Sequence, residues 1–270
     1  MAGQVVAATR LGTLWDSRGI LSLLVFRDLK VKYSDSVLGY LWSILDPLAL
    51  AGVYWFVFTQ LMHRQVGEAP YIVFLLCGML PWQWTNHVLR SSMKALSKDS
   101  KLVRSTNLPR EIWVLRTVGA KGVEFLLSIP VLVFFAITTH AQPTMHVLYF
   151  PVALAIQLVL LTGLGMLLAP MSVLYGDVER VVTVLMRLLF YLSPIIYGSQ
   201  DIESRYGGTV ARIYDLNPLA GIFDLYRSSF FPDQLVGWHA AASAAAISVL
   251  VFLLGALTFR RLEGAVLKEI

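Results

Sequence analysis

The sequence predicts an all-α integral membrane protein, a single transmembrane domain over residues 1–270. Three observations carry that expectation. The chain is 57% hydrophobic and only 14% charged, where soluble domains carry about a quarter charged residues. Several apolar runs approach or exceed the roughly 18 residues that a membrane-crossing helix needs. The cations gather at the ends of those runs, as a topology signal does.

Six spanning segments are expected, at 37–62, 70–92, 112–138, 145–170, 178–198 and 237–260. Pro47, Pro81, Pro130, Pro170 and Pro194 fall in or near them, and proline removes a backbone donor and kinks a spanning helix. Repeated kinks suit a bundle that lines a path. Of the 22 basic residues, 18 lie before the first segment, in the second and fourth connections with the span ends that flank them, or at the end of the last span and in the tail. The third connection, "THAQPTMH", has no Lys or Arg. Both termini are therefore expected in the cytoplasm of a bacterial cell, with the chain multi-pass in its plasma (inner) membrane.

Ahead of the first span, residues 17–35 read as an interfacial helix. Val25, Phe26, Leu29 and Tyr33 recur at helical spacing, and Arg27, Lys30 and Lys32 are expected to point away, toward headgroups. Asp46 and Pro47 then fall inside the span. A carboxylate at that depth needs a partner, a protein interior or water.

Between the last two spans, Leu219, Ile222, Phe223, Leu225, Tyr226 and Phe230 recur every three to four positions. Asn217 and Pro218 suit a helix N-cap and first helical residue. A helical hairpin over 214–232, re-entrant or lying on the surface, is expected at the outer mouth. Aromatic residues beside the proline breaks, Trp42, Trp82, Trp84 and Tyr191, are candidates for lining a path, because sugar C–H faces pack on aromatic rings. Tyr40, Phe190 and Tyr197 join that set.

Several classes of function are set aside. The net charge of +5 does not indicate nucleic-acid binding, because its cations track the membrane segments. One cysteine, Cys77, and five scattered histidines cannot build a zinc cluster. No G-x-x-x-x-G-K-[ST] loop occurs, so any ATP-driven work requires another polypeptide. A membrane enzyme would need clustered acids or a nucleophile with its base. Asp46 and Glu124 stand alone, Asp177 and Glu179 lie in a short basic-flanked loop, and Asp201 and Glu203 suit a solvated loop better than a cation site.

Six stretches, in order, resemble one family. "RDLKVKYSDSVLGYLWSILDPL" resembles the interface helix and first span of permeases of ABC-type polysaccharide exporters, which move O-antigen, teichoic acid, lipid-linked galactan and related glycans. "GMLPWQWTNHVLRSS" resembles their second span, and "SKLVRSTNLPREIWVLRTV" their cytoplasmic loop and the start of the third. "LYGDVERVVTVLMRLLFYLSPIIY", "YDLNPLAGIFDLYRSSFF" and "RRLEGAVLKE" resemble the fourth connection with the fifth span, the outer hairpin and the tail.

The resemblance implies a type-2 ABC exporter fold. It implies a homodimer with two copies of a cytoplasmic nucleotide-binding subunit that binds ATP and Mg, with no cofactor in this chain. The substrate would be a polyprenyl-diphosphate-linked glycan. ATPase coupling would fall to Arg27, Lys30, Lys32, Tyr33, Lys98, Lys101, Arg104, Arg110, Tyr175, Asp177 and Arg180. The aromatic set above would line the channel, and Asn217, Pro218, Phe223, Tyr226 and Phe230 would form the outer gate. Gly176-Asp177 departs from the family, which often has an aromatic or basic residue before the Asp. The same architecture carrying a drug or small lipid, or a membrane enzyme acting on lipid-linked sugars, are the alternatives.

Overall fold

The computed structural model describes residues 12–34, 38–61, 70–141, 145–207, 212, 214–232 and 238–270, with the side chains of Tyr33, Tyr40, Ser43, Phe58, Thr59, Glu203, Ser204, Arg205 and Tyr206 outside that description. Among these residues the regular structure is all helical, with no strand. The helices are α1 (Arg18–Ser34), α2 (Trp42–Trp55), α3 (Tyr71–Ser92), α4 (Ser100–Ser105), α5 (Glu111–Thr138), α6 (Tyr149–Leu174), α7 (Val178–Leu192), α8 (Ser199–Tyr206), α9 (Pro218–Ser228) and α10 (Trp238–Glu269). A wide π turn, Phe56–Leu61, continues α2.

Each expected span overlaps one of these helices, and α6 and α10 run past the expected ends at 170 and 260, to Leu174 and Glu269. By length and composition, α5, α6 with the 3₁₀ turn before it, and α10 are apolar enough on their own to cross a membrane. The helix α7 ends at Leu192, short of the expected 198, and the chain runs on through bends to Gly198.

The helix at the centre is α3. Every residue from Ile72 to Trp82 is buried, and a helix that is apolar all round belongs in the middle of a bundle. It packs against α2, α5, α6 and α9. Pro81 deprives the fourth residue before it of its helical hydrogen bond. The Pro81 carbonyl itself accepts from Thr85 Oγ1 (3.0 Å) and from Gln157 Nε2 of α6 (2.8 Å).

The longest helix contact, α6 with α10, depends on two glycines. A Cβ on Gly255 would overlap the Gly163 carbonyl, and one on Gly163 would stand 2.5 Å from the Phe252 backbone. Removing both side chains lets the two backbones touch, the usual way helices associate in lipid, where no hydrophobic effect drives them together. The small face of α10 serves the same end. Ala240, Ala241, Ala244 and Ser248 are buried within the chain, where Gly221 of α9 meets the Ala240 carbonyl.

Candidate functional site

The expected coupling elements converge on one end of the bundle. There α1 lies along α5 through a stripe made of Val25, Asp28, Leu29 and Lys32. Val25 packs where Gly119 lacks a side chain, and Leu29 is 4% exposed. The polar members of the stripe are paired with α5. Arg116 Nε lies 2.8 Å from Asp28 Oδ2, and Lys32 Nζ lies 2.9 Å from Glu124 Oε2. Acid on α1 meets base on α5, and one turn later base meets acid, so a shifted register would bring like charges together.

The Arg116 guanidinium also reaches Asp99 Oδ2 at 2.6 Å, in the turn after α3, and lies over the Trp113 ring. Its side chain is 3% exposed. Arg27 completes the cluster at 3.3 Å from Asp28 and 3.4 Å from Asp99. A single buried cation thus joins α1, the turn before α4, and α5. Losing one partner of a buried pair costs far more than losing a surface pair.

This corrects the sequence reading of α1. Lys32 does not point to headgroups but into α5, and Arg27 reaches the carboxylates of Asp28 and Asp99. Val25 and Leu29, expected with Phe26 toward the acyl boundary, lie instead in the packed stripe, whereas Phe26 is 68% exposed. The cause is that α5 offers charges of its own, so the packed stripe is set by complementary charge as much as by apolar spacing. Lys30 is exposed, as expected.

The remaining coupling candidates sit at the same end. Lys98, Lys101 and Arg104 are exposed around α4. Arg110 donates to the Leu108 carbonyl (3.3 Å) and stands 4.0 Å from Glu263 of α10. Lys94 pairs with Glu179 at 2.9 Å, joining the turn after α3 to the start of α7. Tyr175, Asp177 and Arg180 are exposed, with Arg180 3.8 Å from Asp177. The backbone of Tyr33 ends α1.

The aromatic candidates divide. Trp82 and Trp84 stand two apart on a helix, about 200° around its axis, and so serve different faces. Trp82 joins Phe190 of α7 at 5.6 Å between ring centres, with Tyr54 and Tyr191 flanking Phe190 at 6.2 and 5.2 Å. Trp84 stacks on Phe125 of α5 at 4.9 Å. Both tryptophans are buried, whereas Trp42 and Tyr191 are exposed. Tyr40 lies in the 3₁₀ turn Gly39–Leu41, where Gly39 takes the left-handed φ of +48°.

At the other end the hairpin helix forms as the sequence predicts. Asn217 caps it by accepting from the Leu219 N–H (3.1 Å), and Pro218 follows at the first helical position. Its aromatic candidates point inward: Phe223 and Tyr226 are fully buried, and Phe230 packs against the core. The Tyr226 hydroxyl donates to Gln157 Oε1 at 2.9 Å, and Gln157 Nε2 also donates to Thr85 Oγ1 at 3.0 Å. One buried amide therefore holds α9, α6 and the Pro81 bend of α3 together.

Sequence reading missed the residue that organises this end. Arg227, one of the four basic residues outside the 18 gathered on the expected cytoplasmic side, is 0% exposed. It donates to the Ile195 carbonyl (2.8 Å) and the Tyr197 carbonyl (3.0 Å), and lies 3.9 Å from the Phe74 ring centre. The Tyr71 hydroxyl donates to the Ile196 carbonyl between them (3.1 Å). Three consecutive carbonyls of the non-helical segment after α7 thus receive side-chain donors, which irregular backbone inside a membrane bundle requires. Gly78 makes room, since a Cβ there would stand 2.9 Å from the Ile195 oxygen. Tyr197 donates to the Tyr191 carbonyl (2.9 Å) and lies 3.1 Å from the Tyr214 hydroxyl. Ser199 donates to Asp224 (2.9 Å), and the Gly198 N–H donates to Asp201 (2.8 Å).

Comparison with known proteins agrees with this architecture. The family model described as "ABC-2 type transporter" matches residues 20–231. The "O-antigen export system permease protein RfbA" of Klebsiella pneumoniae is 32% identical over 83% of this chain and 84% of its own. The protein of the same description from Myxococcus xanthus is 29% identical over 88% of this chain and 90% of its own. The "Polysialic acid transport protein KpsM" of Escherichia coli is 23% identical over 90% and 93% respectively. With a match that runs from α1 through α9, the chain belongs to the ABC-2 type transporter family.

Proposed function

We propose that this chain is the permease of an ATP-driven exporter that moves a polyprenyl-diphosphate-linked polysaccharide from the cytoplasmic to the outer side of a bacterial plasma membrane. The observation that carries the reading is the likeness to O-antigen export permeases over 83% of the chain. Those relatives are named for a polysaccharide cargo, and the present chain aligns with 84% of their length.

The working unit in this reading is a homodimer with two cytoplasmic ATPase subunits, which bind ATP and Mg. All six expected segments span, and α9 lies at the outer mouth. An exposed stripe on α7, Val181, Val184, Leu185, Leu188 and Leu192, supports pairing with a second copy or with lipid. The end that holds α1, α4 and the Tyr175–Arg180 connection faces the cytoplasm, where the exposed Lys30, Lys101, Asp177 and Arg180 meet the ATPases. A push on α1 is passed to α5 through Asp28–Arg116 and Lys32–Glu124, so the interface helix and the third span move as one body.

The test is genetic and chemical. Depleting the gene should leave lipid-linked polymer on the cytoplasmic leaflet, seen by extraction and by protection from added glycosidase. An unchanged surface glycan with no accumulated intermediate would refute the reading.

A further inference from the structure

A cleft of about 250 Å³ opens between α1, α2, α3 and α5, close to the charged end of the bundle. Lys32, Asp46, His87, Lys121 and Glu124 line it, together with Trp42, Trp84 and Phe125. Glu124 takes one lysine on each oxygen: Lys121 Nζ lies 2.8 Å from Oε1, and Lys32 Nζ lies 2.9 Å from Oε2. This is also where Asp46, the acid inside the first span, finds its polar surroundings.

Trp84 supplies the second observation. Its side chain is 2% exposed, yet its indole N–H has no hydrogen-bond partner among the described residues. A buried donor left unmade costs about 1–3 kcal/mol, and a buried tryptophan N–H ordinarily finds an acceptor. The ring lies flat on Phe125 and against Gly122, which has no side chain to push it away. The wall thus offers two ammonium groups, with three donors each, that share the Glu124 carboxylate, a second carboxylate on Asp46 and apolar ring surface, with the buried Trp84 N–H behind them.

These groups match one kind of ligand. Ammonium and indole donors suit phosphate oxygens, carboxylates suit sugar hydroxyls, and indole faces suit sugar C–H groups. An anionic phospholipid head would leave Asp46 without a donor, and a neutral sugar would bring no negative charge to the two lysines that share Glu124. We propose that this cleft binds the glycosyl phosphate end of a lipid-linked glycan, with Lys121, Lys32 and Trp84 Nε1 on phosphate oxygens and Asp46 on a sugar hydroxyl. The proposal rests on the export reading above and adds where the lipid-proximal end of the substrate is held.

The test uses the full chain in phosphatidylcholine nanodiscs, titrated with tritium-labelled undecaprenyl-diphosphate N-acetylglucosamine. Undecaprenyl phosphate and phosphatidylglycerol serve as competitors. Lys121→Gln and Trp84→Phe should each weaken binding by about tenfold, the scale of one charged or buried hydrogen bond. Arg261→Gln, an exposed change on α10, should leave it unchanged. Trp84→Phe keeps the stacked ring, so its effect separates the N–H from folding, and melting temperatures check both variants. Wild-type affinity in both folded variants overturns the site. Equal competition by phosphatidylglycerol also overturns it, in favour of an ordinary lipid-head groove. If wild-type exporter moves no glycan, the functional reading fails whatever the titration gives. Export with unaltered binding in the variants removes only the site.

Discussion

Arg116 and Asp28, which are 88 residues apart in sequence, meet at 2.8 Å, with the arginine side chain 3% exposed. The contact fixes α1 to the third expected span. With Asp99 as its second carboxylate, Arg116 ties three segments to one another.

Replacing Arg116 with methionine leaves two carboxylates facing a site built for a cation. The loss should be about 3–5 kcal/mol, read as a lower thermal midpoint of the purified chain. Arg116→Lys keeps the charge but cannot reach both acids with a planar fork, and should fall between. A midpoint like that of wild type in Arg116→Met would show that the cluster carries no stability.

The Lys32–Glu124 pair predicts a charge-exchange result. Lys32→Glu alone sets two acids together and should impair ATP-coupled export. Adding Glu124→Lys should recover a substantial part of it, because the partner position is then basic. A double variant no better than the single one would remove this pair from the coupling path.

Asp177 and Arg180 are fully accessible and barely paired. Asp177→Asn with Arg180→Gln should leave the thermal midpoint unchanged, since exposed ion pairs contribute little. Export and stimulation of the ATPase should fall. Wild-type coupling in this double variant would place the ATPase contact elsewhere.

At the opposite end, Arg227→Met removes two donors from the Ile195 and Tyr197 carbonyls. Each buried acceptor left unmade costs about 1–3 kcal/mol. Protease accessibility of the segment after α7 should rise with the loss of stability. Unchanged cleavage would mean that the Arg227 bonds do not hold this backbone.

Tyr226→Phe is a milder probe of the same end. It strips the donor from Gln157 Oε1 and should cost about 1–3 kcal/mol. Gln157→Leu would unsettle three helices at once and should cost more. The reverse order would argue that the Gln157 amide is not the centre of that network.

The sequence alone determined which segments are helical and apolar, the hairpin cap at Asn217 and Pro218, and the gathering of charged connections at one end. These follow from composition, period and capping chemistry, which are local properties of the chain. It could not determine which charges meet. Lys32 looks like any headgroup cation until α5 presents Glu124, and Arg116 and Arg227 look like topology markers until they are found buried. Trp82 and Trp84 read alike in sequence, although the turn of one helix sends them to separate neighbours. Only the tertiary structure decides these matters, because a charge buried among apolar helices is tolerable only beside its partner, and those partners come from distant parts of the chain.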